Sequence, residues 1–177
     1  EARTAQLLCT EKDAAKVAAI RHPMPYGNLV KQAVQRFADY SDLDKHECTI
    51  EEREEYEPHI DNGVIVYAGV DYEAILRQAE QEVDIVLWDG GNNDTSFYKP
   101  DYTIVVADPH RPGHEISYYP GETNVLLADA FVINKVDTAD PENVMIVRDN
   151  LHKMNPDAVV IEGASPLFVD DPEAIRG

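Results

Sequence analysis

Cysteine is nearly absent from this sequence. Cys9 and Cys48 are the only two, they lie far apart, and no CxxC pair exists. A disulfide framework and a zinc knuckle are both disfavoured, and a reducing cytoplasm is the default compartment. Basic residues are scarce as well: 15 Lys and Arg stand against 34 Asp and Glu, a formal net charge of −19. Such a chain repels a nucleic-acid backbone unless its cations are concentrated, so no nucleic-acid partner is expected. No apolar run approaches the roughly 20 residues of a membrane helix, which argues against a membrane partner. No signal-peptide pattern opens the chain, and no repeat or low-complexity tract interrupts it. A phosphate-binding GxxxxGK[ST] run is missing too: none of the nine glycines has the required lysine at the required distance.

What is present reads as a globular domain. The 177 residues, 44% of them hydrophobic, suit one domain with a sizeable core. The acidic residues are spread along the chain. The plain reading is a solvated acidic surface; the sharper one is adaptation to a salty cytoplasm.

Short apolar β-branched runs alternate with amphipathic stretches. The runs are Lys16–Ile20, Gly63–Tyr67, Asp84–Trp88, Tyr102–Ala107, Ala130–Ile133 and Ala158–Ile161. Most are continuous rather than alternating, as in strands covered on both faces of a parallel sheet. Helices are predicted at Ala2–Leu8, at Asn28–Tyr40, and at Asp71–Glu82 with Asp71 as N-cap. A further one opens at Asp140-Pro141 and runs to about Met154. The acidic segment Ser41–Asn62 carries no strand signal and reads as a solvated helix or lid-like excursion. The predicted architecture is a doubly wound, mostly parallel α/β sheet, on which ligands sit at the carboxyl ends of the strands.

Five strand ends carry chemistry. Asn134-Lys135-Val136-Asp137 follows Ala130–Ile133 and is an NKxD pattern. The Asp137 carboxylate can accept both donors on the N1–N2 edge of guanine, an arrangement adenine cannot satisfy. Lys135 can lie along the base while Asn134 ties neighbouring loops; an ordinary loop is the alternative. Trp88-Asp89-Gly90-Gly91 follows Asp84–Trp88 like a Walker B strand end. There Asp89 would hold Mg²⁺ and Gly90 and Gly91 would let backbone approach phosphate. A tight glycine turn with a capping aspartate is the alternative, and Asp94 is a weaker candidate for metal or water.

Two proline-stiffened loops gather the scarce cations: Arg21, His22 and Tyr26 after the first strand, and His110, Arg111 and His114 after Tyr102–Ala107. They suit an anion site, since arginine binds phosphate in bidentate fashion and histidine donates or transfers protons. Alternatively these arginines simply pair with the abundant carboxylates; a His/Asp metal site matches no zinc spacing. Finally, Glu162-Gly163-Ala164-Ser165 could turn the backbone donors of Ala164 and Ser165 toward a base.

The strings IRHPMPYG (20–27), VYAGVDYEAIL (66–76), WDGGNND (88–94), VADPHRPGHE (106–115), INKVDTADPE (133–142) and NPDAVVIE (155–162) resemble the proteins related to cyclic 2,3-diphosphoglycerate synthetase, often described as predicted GTPases. The resemblance implies a P-loop NTPase fold similar to dethiobiotin synthetase, Mg²⁺, and ATP or GTP. It also implies ATP-driven phosphoanhydride formation on a phosphorylated small-molecule acid. Asp89, Arg111 and His110 then become the expected catalytic residues. Members of that family look longer at both ends, so residues 1–177 read as a single nucleotide-binding domain with its P-loop upstream and more chain downstream. A regulatory or metallochaperone-like GTPase switch is the alternative, a binding fragment without turnover the third reading; a homodimer is compatible with either enzyme reading.

Overall fold

The computed structural model describes residues 15–23, 30–88, 90–166 and 168. The chain divides into two compact units, Glu1–Phe97 and Tyr98–Gly177. Where the sequence reads as one sheet, the strands pair as two, one in each unit.

In the first unit, β1 (Val17–Arg21), β2 (Gln35–Phe37), β3 (Ile65–Ala68) and β4 (Ile85–Trp88) form a sheet of order β2-β3-β1-β4. β1 is central and parallel to both neighbours, with Ala18 facing Ile65 on one side and Val86 on the other. Val17, Ala18, Ala19 and Ile20 are all buried, which explains why this strand reads as an unbroken apolar run.

The predicted helix Asn28–Tyr40 does not form over its described part; turns lead instead into β2, antiparallel to β3. Two forces override the helical pattern. The Gln32 and Ala33 carbonyls accept the Val70 and Asp71 amides, both at 3.0 Å, so they serve the loop after β3. Gly69 in that loop has φ +156° and passes so close that a Cβ would lie 2.5 Å from the Ala33 oxygen. Phe37 meanwhile packs with Leu43, Tyr56, Val66 and Ala68 in a buried cluster.

The acidic excursion is two capped helices, α1 (Tyr40–Lys45) and α2 (Ile50–Asp61). Asp39 and Thr49 each begin a capping box, with Asp42 and Glu52 as the reciprocal acceptors. Despite its charge, α2 turns Tyr56 and His59 inward, so it is not a wholly solvated helix. α3 (Tyr72–Ala79) starts where expected, with the Asp71 carboxylate accepting the Ala74 amide at 3.0 Å. Behind it, Glu82 accepts both Arg36 Nε and Nη2, at 2.7 and 2.6 Å, and the Tyr67 hydroxyl.

In the second unit, β5 (Ile104–Ala107), β6 (Ala130–Ile133) and β7 (Val159–Glu162) run parallel in that order. Two short helices missed by the sequence reading, α4 (His114–Ser117) and α5 (Gly121–Leu127), precede β6. α6 (Pro141–Met154) matches its prediction, with Pro141 in the first turn and the Asp140 carboxylate accepting the Glu142 amide. Phe131, Ile133, Val125, Val147 and Leu151 form the core on one side of this sheet. Asn155 closes it by donating to the Val125 and Ala128 carbonyls at 3.0 and 2.8 Å. On the opposite side Ile104, Val106, Val159 and Ile161 remain more than half exposed.

Candidate functional site

In the second unit the carboxyl ends of β5, β6 and β7 are stitched together by backbone. The Asn134 amide donates to Ala107 O at 3.0 Å and the Gly163 amide to Ile133 O at 2.9 Å. The Val136 amide returns to Gly163 O at 3.2 Å. Lys135 takes a left-handed φ of 59° to make this turn. Its carbonyl accepts the Thr138 and Ala139 amides at 3.2 and 3.1 Å, which holds the conformation. Gly163 keeps room for Asn134: a Cβ there would stand 3.4 Å from the Asn134 Oδ1.

The NKxD residues are thereby brought together with the loop after β7. The Ser165 amide donates to Asp137 Oδ1 at 2.9 Å, which fixes the carboxylate at the rim. A carboxylate has about four acceptor positions, so one amide leaves ample capacity for the paired donors of a purine edge. Ala164 lies between Gly163 and Ser165 in the same loop.

Asp108, which the sequence reading passed over, organises the rest. Its Oδ2 accepts Arg111 Nη2 at 3.0 Å and Lys135 Nζ at 3.3 Å, and its Oδ1 accepts the His110 amide at 3.1 Å. Burial pushes this carboxyl up, but the donors outweigh it, Arg111 foremost, and bring it down to about 2. His110 Nε2 meets Thr138 Oγ1 at 3.0 Å. Arg111 is largely exposed beyond its bond to Asp108, so it can turn to a ligand. His114 packs edge-on to Tyr118, with centroids 4.7 Å apart, at the start of α4. The signal that could have exposed Asp108 is its place: the first polar residue after an apolar strand, preceding a proline.

In the first unit the ends of β1 and β4 lie side by side. Arg21 pairs with Glu55 at 2.5 Å, so both described arginines of the expected anion site sit in ion pairs with carboxylates. His22 Nδ1 lies 2.5 Å from the Tyr72 hydroxyl. The glycine loop after β4 is a tight turn closed by Asp94. The Gly91 amide donates to Asp94 Oδ2 at 3.0 Å, the Asp94 amide to Gly91 O at 3.0 Å, and Trp88 Nε1 to Asp94 O at 3.2 Å. Gly90 is required here, since a Cβ would fall 2.9 Å from that of Asp94. In the glycine turn expected to let backbone approach phosphate, the Gly91 amide is engaged by Asp94. Tyr26 and Asp89 lie outside the described residues. Among the described residues no group of three or more His, Cys, Asp or Glu side chains is placed to hold a metal ion.

No family model matches the chain. Over 175 residues it is 65% identical to arginine synthetase ArcE of Thermococcus kodakarensis, a match covering 99% of this chain and 39% of that protein. The chain thus spans about two fifths of the length of this curated relative. The relative is a synthetase by name, as the sequence resemblance implied, though the product in its name is arginine. Among solved structures, the hydrogenase maturation factor HypB from Archaeoglobus fulgidus matches with a TM-score of 0.55 at 18% identity, over 91% of this chain and 71% of that one. That likeness concerns the fold alone. The fold is α/β with mostly parallel sheets, of the P-loop NTPase type, and almost the whole chain is similar to part of a longer protein named as a synthetase.

Proposed function

We propose that this chain is the nucleotide-binding domain, residues 1–177, of a Mg²⁺-dependent synthetase. It takes a nucleoside triphosphate with Asn134, Lys135 and Asp137 at the base, assisted by the loop at Ala164 and Ser165. The observation that carries the reading is the Ser165 amide on Asp137 Oδ1, 2.9 Å long, at the end of a buried parallel strand. An anchored carboxylate at that strand end supports a guanine-binding reading, and with it GTP over ATP.

Asp89 is the proposed magnesium carboxylate. Mg²⁺ is usually held by one or two carboxylates plus substrate phosphates, so the site does not need a cluster of protein ligands. When bound, the ion would neutralise charge on the phosphates. His110 and Arg111, with His114, are the proposed partners of an anionic substrate; Arg21 and His22, expected to form a second such group, face the carboxylates of Glu55 and Asp94 and are not assigned to it. Arg111 reaches a phosphoryl oxygen by sharing or leaving Asp108. The acceptor substrate is either a phosphorylated small acid, as the sequence resemblance implies, or a precursor of arginine, as the relative's name implies.

The anchored Asp137 suits one alternative as well, a GTPase switch whose nucleotide state alters the affinity for a partner. A synthetase turns over nucleotide only when its acceptor is present; a switch hydrolyses GTP slowly alone. Calorimetric titration of Mg-GTP and Mg-ATP tests the base site. Asp137→Asn removes charge-assisted bonds worth roughly 1.5–3 kcal/mol each. It should weaken GTP by about ten- to a hundredfold and spare ATP; equal loss for both nucleotides ends the guanine assignment.

A further inference from the structure

The segment leading to Phe97 lines a hollow, wholly within the first unit, of roughly 460 Å³. It is lined by His22, Asn93, Asp94, Thr95, Ser96 and Phe97. Its aromatic side is a cluster of four rings. Tyr72 and Phe97 stack at 4.6 Å, Trp88 stands 5.8 Å from Phe97, and the His22 ring is edge-on to Trp88 at 5.2 Å. Phe97 forms the outer wall and is two-thirds exposed.

The polar side of the hollow offers acceptors. Asp94 Oδ1 lies 3.7 Å from His22 Nε2, near enough to share a ligand and beyond hydrogen-bond reach. His22 Nε2 is shielded from solvent and has no hydrogen-bond partner. In the tautomer in which Nδ1 donates to the Tyr72 hydroxyl, Nε2 carries a lone pair, and that tautomer is the one taken for the binding proposed below. Two acceptors then face one another across a gap that neither closes. Asp94 Oδ2 is fixed by the Gly91 amide, so the carboxylate is held in place. The neighbouring cation, Arg21, is already neutralised by Glu55. The electrostatics of this hollow therefore favour a cation, unlike those of the Arg111 loop.

We propose that this hollow binds a planar cation of the guanidinium class. Asp94 supplies the counter-charge, His22 Nε2 accepts a second N–H, and Phe97 covers the flat face. A guanidinium has only donors, arranged in a fork, and stacks on aromatic rings. It satisfies both acceptors at once; a phosphate would meet two acceptors and a carboxylate charge. The inference rests on His22, Asp94 and Phe97 and uses no residue of the base site at Asp137.

Trp88 is the sole tryptophan of the chain and reports on this cluster directly. Arginine is titrated into the chain, followed by Trp88 fluorescence and by calorimetry, with inorganic phosphate and lysine as comparison probes. The expected result is saturable binding of arginine, weaker binding of lysine and none of phosphate at this hollow. Asp94→Asn keeps an oxygen for the Gly91 amide and removes the charge, so it should weaken arginine by about tenfold or more. Phe97→Leu keeps apolar bulk and removes the ring face. Cation–π contacts contribute roughly 0.5–2 kcal/mol, so a loss of about two- to thirtyfold follows. Absence of arginine binding, or unchanged affinity in both variants, overturns the proposal, as does a Trp88 response to phosphate alone. Loss of GTP selectivity in Asp137→Asn with arginine titration intact would leave this proposal supported and bear only on the base site.

Discussion

Replacing Asp108 by asparagine tests whether one carboxylate holds the strand-end loops of the second unit together. In the wild type that group accepts from Arg111, Lys135 and the His110 amide, and it titrates at about 2 in place of the usual 3.8. At roughly 1.4 kcal/mol per pH unit the difference corresponds to about 2.5 kcal/mol. The side chain is 25% exposed, and solvent screening trims the figure to about 2 kcal/mol. Because the folded-state value is depressed, the contribution is complete above the unfolded value near 3.8. It declines as pH falls toward 2 and is gone below that. Asparagine keeps the shape and one acceptor but never carries the charge. Urea unfolding followed by far-UV circular dichroism should therefore show Asp108→Asn less stable by about 2 kcal/mol at neutral pH, and by about half as much near pH 3. Equal stability at neutral pH, or a gap that stays constant down to pH 3, would refute the account. Added salt should narrow the gap, since part of it is screened Coulomb attraction.

Three other substitutions probe separate parts of the fold. Leu151→Ala empties a fully buried position beneath β6 and should cost about 2–5 kcal/mol in urea unfolding. Arg36→Ala leaves Glu82 to Tyr67 alone; a loss of roughly 1.5–3 kcal/mol is expected. Because the Arg36 bond holds Glu82 below the usual carboxylate range, that loss should shrink as the medium is acidified through its titration. Thr49→Ala removes the acceptor for the Glu52 amide at the start of α2; thermal unfolding should report about 1 kcal/mol less stability.

Much of the fold was legible because its determinants are local. The apolar runs at β1, β4, β5, β6 and β7 each appear within a residue or two of their observed places, though one face of β5 and β7 is exposed, and Asp71 and Asp140 cap the helices they were expected to cap. β2 was not legible. Val34 and Phe37 sit at helical spacing, but the carbonyls of Gln32 and Ala33 are claimed by a loop nearly forty residues on, which no local pattern encodes. The pairing of strands into two sheets is equally non-local, since each strand looks alike whichever neighbour it joins. At the candidate site, the NKxD residues stood out by type and spacing, and the structure gathers them with the loop after β7. Asp108 did not, because its importance comes from Arg111 and Lys135 converging on it in space. The different surroundings of Arg21 and His22 were hidden for the same reason: they are adjacent in the chain, yet one is neutralised by Glu55 and the other faces Asp94.

The left-handed turn at Lys135 couples that side chain to the integrity of the whole strand-end rim. A residue with a Cβ gives up roughly 1–2 kcal/mol to stand in that conformation, and three amide bonds around it keep it there: two to its own carbonyl and one from Val136 to Gly163. If β7 peels away, the Gly163 tether goes first, the backbone can spring back to a right-handed state, and the ammonium swings off Asp108. Lys135 thus works as a tell-tale for fraying: its distance from Asp108 registers whether the three strands are still in register at the end where a ligand would arrive.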